Sequence, residues 1–527
     1  MVTEPSADGA ASSRFVLIGI AVLLLGYAVS ALFGLPQHGT RLTNAPAAHE
    51  AAEHGEGPRP DDAAHAASTH PEPPPLYLVI PFALLLGCIA VLPLLHATEH
   101  WWESNLHRFY VAAGLALVTL AYYATLHEHP IDRHFLGHAV IERGESAISW
   151  PLASTILQNA ILHEYVPFIV LLFALYTISG GVRIEGDLPA HPLTNASFLA
   201  IGAVLANFIG TTGAAMLLVR PLLETNSERK HVRHTLVFFI FVVCNCGGCL
   251  LPMGDPPLFL GYLEGVDFLW TLSLWKPWLL VNGCLIAIYL VWDHFFCYPH
   301  ETKADIARDE TQVRRLQFSG VWPNALLLAL VVAAIGLLDP TKDFPGADWK
   351  PWQFLREAVL LGLVGLSLLL GSNRVRQANR FNYSAIIEVA ALFLGIFICM
   401  QPALQILAVR GGALGVDTPA KFFWSTGGLS AVLDNAPTYL VFFQAAQSLH
   451  APGAETMAGV PVDMLTAISL GAVFMGAMTY IGNGPNFMVK AIAEKSGVRM
   501  PSFFGYVGYS FAVLVPLFIV VTLVFFR

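Results

Sequence analysis

Apolar residues run along this chain in blocks of about 16 to 25 positions separated by short polar segments, the pattern of helices long enough to cross about 30 Å of hydrocarbon at 1.5 Å per residue. Such blocks occupy residues 15–33, 76–95, 109–126, 165–182, 272–296, 321–338, 355–370, 384–404 and 503–526. Two longer blocks, 235–262 and 464–492, are interrupted by Gly254-Asp255-Pro256-Pro257 and by Gly482-Asn483-Gly484-Pro485-Asn486. Two others are too short to cross. Residues 198–209 and 214–223 flank Gly210-Thr211-Thr212-Gly213, and residues 422–433 and 438–449 flank Asp434-Asn435-Ala436-Pro437. Each short pair predicts a re-entrant hairpin, because non-helical backbone at membrane depth is tolerated only under protein cover or beside a water-filled cavity.

The order of elements repeats. Residues 76–296 and 321–527 each give two spans, a third span, a short-piece hairpin, an interrupted span and a final span. Residues 297–320 are a charged connector with room for a surface helix. The prediction is an all-α polytopic membrane protein with about eleven transmembrane helices and two hairpins. Lys and Arg cluster at 229–233, 303–315, 374–380 and 495–499. All four fall on the cytoplasmic side if the amino terminus is cytoplasmic. That count requires the hairpins to enter from opposite sides, so the halves form an inverted repeat, the architecture of secondary transporters. The carboxyl terminus is then periplasmic.

Composition agrees with a membrane protein: 55% of 527 residues are hydrophobic and 12% charged. The formal charge of −9 lies largely in polar loops, and nothing has the basic footprint of a nucleic-acid binder. The cysteines fall mostly within apolar segments and read as small buried residues. Residues 1–34 form a membrane anchor, with a signal peptide cleaved near Ala28 and Ser30 as the alternative. Residues 35–75, with His38, His49, His54, His65 and His70, lack an apolar period and predict a disordered periplasmic tether.

The two tips and two breaks hold the candidate chemistry. Ionised acids are costly at membrane depth and mark function. Asp434 and Asp255 are such acids, and no Lys or Arg lies in any of the four interruptions; Arg220 and Lys490 are one to two turns away. Carboxylates, threonine hydroxyls, amide oxygens and freed carbonyls suit a small hard cation. Sodium and a proton competing for one carboxylate suffice for antiport, so Asp434 and Asp255 are the candidate sodium ligands. Half-helix amino termini favour an anion instead. Glu164 and Glu388, near the starts of the two third spans, are further candidates for proton coupling. Asn207 reads as a hydrogen-bonding partner of the first tip. The CxCxxC of Cys244, Cys246 and Cys249 is explained as well by close packing as by a soft metal. His231 and His234 flank the cytoplasmic mouth, either as pH sensors or as solvated loop residues. No nucleophile–base motif points to an enzyme, and no cofactor is implied beyond the transported ions.

The stretches LANFIGTTGAAMLLVRPLL, GGCLLPMGDPPLFLGYL and AVLDNAPTYLVFF resemble the ion transporter superfamily, most closely its NhaD-type sodium/proton antiporters and arsenite-efflux permeases. The resemblance implies a homodimer in the bilayer whose hairpin-bearing part moves against a scaffold in an elevator motion. It also implies that Thr211, Thr212, Asp255, Asp434, Asn435, Thr438, Asn483 and Asn486 are the binding positions. The paired Ser-Asn-Thr tips of the dicarboxylate branch are not clearly present. The resulting expectation is a sodium- or lithium-proton antiporter of a bacterial inner membrane, with an ion-coupled permease for arsenite or a carboxylate as the alternative.

Overall fold

Five helices among the described residues are long and apolar enough to cross a bilayer: Ser13–Leu32, Trp150–Ser179, Pro192–Thr225, Trp270–His300 and Phe503–Phe525. A bent pair, Ser384–Cys399 with Gln401–Leu414, turns by 42°, where Pro402 in the first turn of the second helix removes a backbone donor. Shorter apolar helices carry other expected spans, among them Leu76–Val91 and Val321–Leu337. The computed structural model describes residues 8–44, 72–137, 139–144, 146–311, 313–449, 453 and 455–527. Its only strands there form three two-stranded pairs. The chain is an all-α polytopic membrane protein.

Pro192–Thr225 has the length of a span but does not cross. Gly210 interrupts it with φ 74° and ψ 156°, a conformation open to glycine and costly for other residues. The chain reverses there. Asn195 and Asn226, which a straight helix would hold about 46 Å apart, exchange reciprocal amide hydrogen bonds of 2.8 Å. Both amides are buried, and the pair closes the open end of the hairpin. The second hairpin is Pro419–Ser430 and Asn435–Gln447. Its legs lie side by side, with the Phe422 and Phe442 rings 6.3 Å apart. Neither leg exceeds 13 residues, so neither can cross.

The four basic segments share one face. Arg233 Nε donates to the Arg499 carbonyl, and the backbone N–H groups of Lys230 and His231 donate to Glu301. Arg183–Asp187 pairs antiparallel with Arg314–Ser319, and Arg183 reaches Asn379. The open end of the first hairpin lies here, where the Leu188 N–H donates to Thr225. The second hairpin opens at the other face, where Gln447 donates to the Ala458 carbonyl and Ala458 approaches Gly265.

Two groups of elements pack mainly among themselves, although the first hairpin also meets Val166–Ser179 and Asn435–Gln447 also meets Gln401–Arg410. The hairpins pack on the broken helices: Pro419–Ser430 lies along Val462–Met475, and Pro192–Thr225 meets Gly484–Lys495. The second group joins Asn105–Thr125 to Ser384–Cys399, and Leu355–Leu370 to Val166–Ser179, Val321–Leu337 and the amino-terminal helix.

Three expectations change. The third span, expected over residues 165–182, starts at Trp150, so Glu164 lies midway along a helix. Leu152 and Ile156 bury one face against Tyr123 and Ile131, while Asn159, which disguises the helix in sequence, accepts from His134 N–H and donates to the Asp132 carbonyl. The tether is not structureless from residue 35. Leu35–Thr43 is a helix started by Pro36, carrying His38 and held to the 339–353 loop by bonds from Thr40 to Pro351 and from Asn44 to Pro340. His49, His54, His65 and His70 lie outside the described residues. In the connector, Lys303–Thr311 is helical, but residues 314–319 form a strand because Arg183–Asp187 offers a free edge.

Replacing Gly210 by Ala imposes an unfavourable φ and should lower the thermal midpoint, at a cost of about 1–3 kcal/mol. Gly428→Ala is the control, since that glycine has no close neighbour and its helix gains propensity; equal midpoints for the two variants would contradict the hinge. Asn195→Ala strands the Asn226 amide and should cost about 1–3 kcal/mol, read by the same melt in detergent.

Candidate functional site

Asp255 is the residue on which both hairpin tips and the second break converge. It precedes Pro256–Leu263 with extended backbone, φ −141° and ψ 143°, and its side chain does not cap that helix. The double proline that follows needs no N–H partner in the first turn. The carboxylate, 1% exposed, is therefore available to other elements. Oδ1 accepts from the Thr211 hydroxyl at 2.9 Å and from Asn483 Nδ2 at 3.1 Å. Oδ2 accepts from Asn435 Nδ2 at 2.6 Å. A backbone bond from Thr211 N–H to the Gly254 carbonyl ties the first tip to the break.

Each partner opens a half-helix. Thr211 begins the second leg of the first hairpin, Asn435 begins Asn435–Gln447, and Asn483 and Asp255 immediately precede Gly484–Lys495 and Pro256–Leu263. Four helix amino termini, each with a partial positive charge, therefore surround one carboxylate. Every side-chain donor to it is neutral. Asn435 Oδ1, buried beside Asp255, has no hydrogen-bond partner among the described residues. A buried acceptor without a donor is costly, and a proton or small cation is the chemistry that satisfies it.

The remaining expected residues occupy distinct places. Asn486 donates to the Gly476 and Thr479 carbonyls and accepts from Asn245 Nδ2. Asp434 is half-buried and caps its own helix by accepting from the Ala436 N–H; it shares no hydrogen bond with Asp255. Thr438 donates to the Asp434 carbonyl at 2.9 Å. Thr212 is half-buried beside Thr211. Asn207 holds the break as expected, donating to the Gly247 carbonyl and accepting from the Leu250 N–H. Glu388 pairs with Arg108 at 2.6 Å, far from the partners of Asp255. Glu164 is buried and bonded through Oε1 to Gln401, leaving Oε2 without a partner.

Three further polar positions around the breaks were not read from sequence. Asn245, fully buried, accepts from Asn483 and donates to Asn486 and the Ile240 carbonyl, joining the two breaks. An amide amid the Cys and Gly residues of a mid-membrane break was the available signal. Asn282 donates to the Cys246 carbonyl, so the CxCxxC segment is held by its backbone while its thiols pack in the core. Glu264 directly follows Pro256–Leu263 at its carboxyl end.

No curated protein matches this chain. One family model, described as "Putative citrate transport", matches residues 72–526 and so takes in both hairpins, both breaks and Asp255. With more than four-fifths of its 527 residues covered, the chain belongs to that family of membrane transporters.

Proposed function

We propose that this protein moves small carboxylates of the citrate type across the bilayer, coupled to cations, with Asp255 binding the coupling proton or sodium ion. The convergence of four half-helix amino termini on that one buried carboxylate carries the reading. Helix amino termini and neutral amides bind carboxylate groups well. A bare Asp255 would repel them. A proton or sodium ion on Asp255 removes the repulsion and leaves the positive ends of the helices to attract the substrate, so cation and carboxylate bind as a pair. The family description favours this alternative over antiport.

The two packing groups support an elevator movement within an inverted repeat. An apolar cavity of about 290 Å³ lies between the first hairpin and the neighbouring helices, lined by Leu205, Phe208, Leu217, Val321, Leu328 and Val332 among others. A surface of that kind slides without breaking hydrogen bonds. One observation favours sodium/proton antiport as a second reading: the unpartnered Asn435 Oδ1 beside a carboxylate with no Lys or Arg donor suits a desolvated cation by itself.

Proteoliposomes separate the two. Labelled citrate uptake should rise under an imposed inward proton or sodium gradient and lose its response to either gradient in Asp255→Asn, whose amide is permanently uncharged. Sodium-driven alkalinisation of the lumen with no carboxylate present, without citrate uptake, would instead establish antiport. Asn435→Ala removes a hydrogen bond to a charged group and should weaken apparent citrate affinity by about 1.5–3 kcal/mol, roughly 10- to 150-fold; unchanged affinity would remove Asn435 from the site.

A further inference from the structure

Three carboxylates that the transport reading leaves unused meet at the open end of the first hairpin. One oxygen each of Asp187, Glu228 and Asp309 lies within 4.8 Å of the other two. They come from separate segments. Asp187 ends the strand Arg183–Asp187, Glu228 lies in the loop after the first hairpin, and Asp309 sits on the connector helix Lys303–Thr311. Hydrogen bonds fix these segments against one another: the Ala190 N–H donates to Asp309 Oδ2 at 2.9 Å, the Ala190 carbonyl accepts from Arg229, and the Leu188 N–H donates to Thr225.

Acids often gather on a protein surface, but two of these are enclosed and short of donors. Asp187 is 5% exposed and Asp309 6%. Among the described residues no hydrogen bond reaches the Asp187 carboxylate, and the one cation within 4.0 Å of it is Arg314, whose side chain is mostly exposed. Asp309 Oδ1 is buried without a donor. Glu228 Oε2 accepts from the neighbouring Ser227 hydroxyl. The charges nearby leave the cluster negative: Glu224 adds an acid within electrostatic reach of Asp187, Arg229 is committed to Asp293, and His191 Nδ1 is bonded to the Tyr298 hydroxyl. Like charges held together away from water are unfavourable without a counter-ion. Calcium takes carboxylate oxygens at about 2.3–2.6 Å, so oxygens on opposite sides of the ion stand roughly 5 Å apart. Three oxygens within 4.8 Å of one another can therefore share one ion.

We infer that Asp187, Glu228 and Asp309 bind a hard divalent cation, calcium or magnesium, which clips the connector to the open end of the first hairpin. The donor set is oxygen alone, the chemistry of those ions and not of metals that seek imidazole or thiolate. The inference goes beyond the transport reading and is tested without transport. Calcium and magnesium are titrated separately by calorimetry into the purified full-length protein, stripped with chelator and held in a neutral detergent with excess sodium chloride. Saturable binding of at least one ion is expected, retained in Asp255→Asn and weakened at least about tenfold in Asp187→Asn/Asp309→Asn, which removes two of the three ligand charges. In chelator the double variant should melt at or above the parent's midpoint, because it loses charge repulsion, and this separates loss of ligands from loss of fold; Glu228→Gln, altered at a half-buried loop position, should also weaken binding. The bound ion should slow hydrogen exchange in residues 226–229 and 303–311. Absence of saturable binding of both ions by the parent, parent-like binding in the double variant, loss of binding in Asp255→Asn, or binding that leaves exchange in both segments unchanged would overturn it.

Discussion

A carboxylate inside a bilayer protein has no water to solvate it, so the chain must bring donors to it or leave it neutral. Here the donors come from three elements far apart in sequence: a hydroxyl from the first hairpin tip, an amide from the second and an amide from the second break. None is close enough along the chain to serve by local structure. Each has to be carried to mid-depth by a helix that stops there. The short helices, the reversals and the breaks follow from that requirement. The glycines in the first break serve it too: a Cβ on Gly254 would meet the Gly248 carbonyl at 2.4 Å, and one on Gly247 the Ala203 backbone at 2.6 Å.

Stopping helices at mid-depth creates a second demand, since each break exposes backbone carbonyls. Side-chain amides meet it. Asn207, Asn282 and Asn486 each donate to a carbonyl freed by a break, and Asn245 bridges the two breaks. The site therefore has an inner ring of donors around Asp255 and an outer set of amides that fixes the ring's backbone. Uncharged amides can do both without adding a permanent charge to the hydrocarbon depth.

Much of this was legible in the chain because polar residues stand out against apolar runs. Gly210 between two half-length apolar pieces announced the reversal, and Asp255, Asn435 and Asn483 stood out for the same reason. The reading went astray where context diluted the signal. Asp434 and Asp255 stood out alike as acids beside prolines, and only their partners tell them apart: Asp434 accepts from its own helix end, while the donors of three elements gather on Asp255. Asn245 was masked by flanking Cys and Gly residues that suggested packing alone. Gln158, Asn159, His163 and Glu164 kept the first two turns and more of Trp150–Ser179 out of the span read from sequence, because sequence shows their polarity but not their partners. Leu35–Thr43 was hidden by its Pro, Gly and His content, and its stability comes from a loop some 300 positions away.

The antiparallel pairing of Arg183–Asp187 with Arg314–Ser319 bears on how the two packing groups can shift. The first strand is where the chain leaves helix Trp150–Ser179 for the first hairpin, and the second is where it returns toward Val321–Leu337. The two crossings are thus one ribbon. On the elevator reading proposed above, a displacement of the first hairpin and its broken helix would turn about that ribbon at the basic face and leave the greater arc to the opposite end.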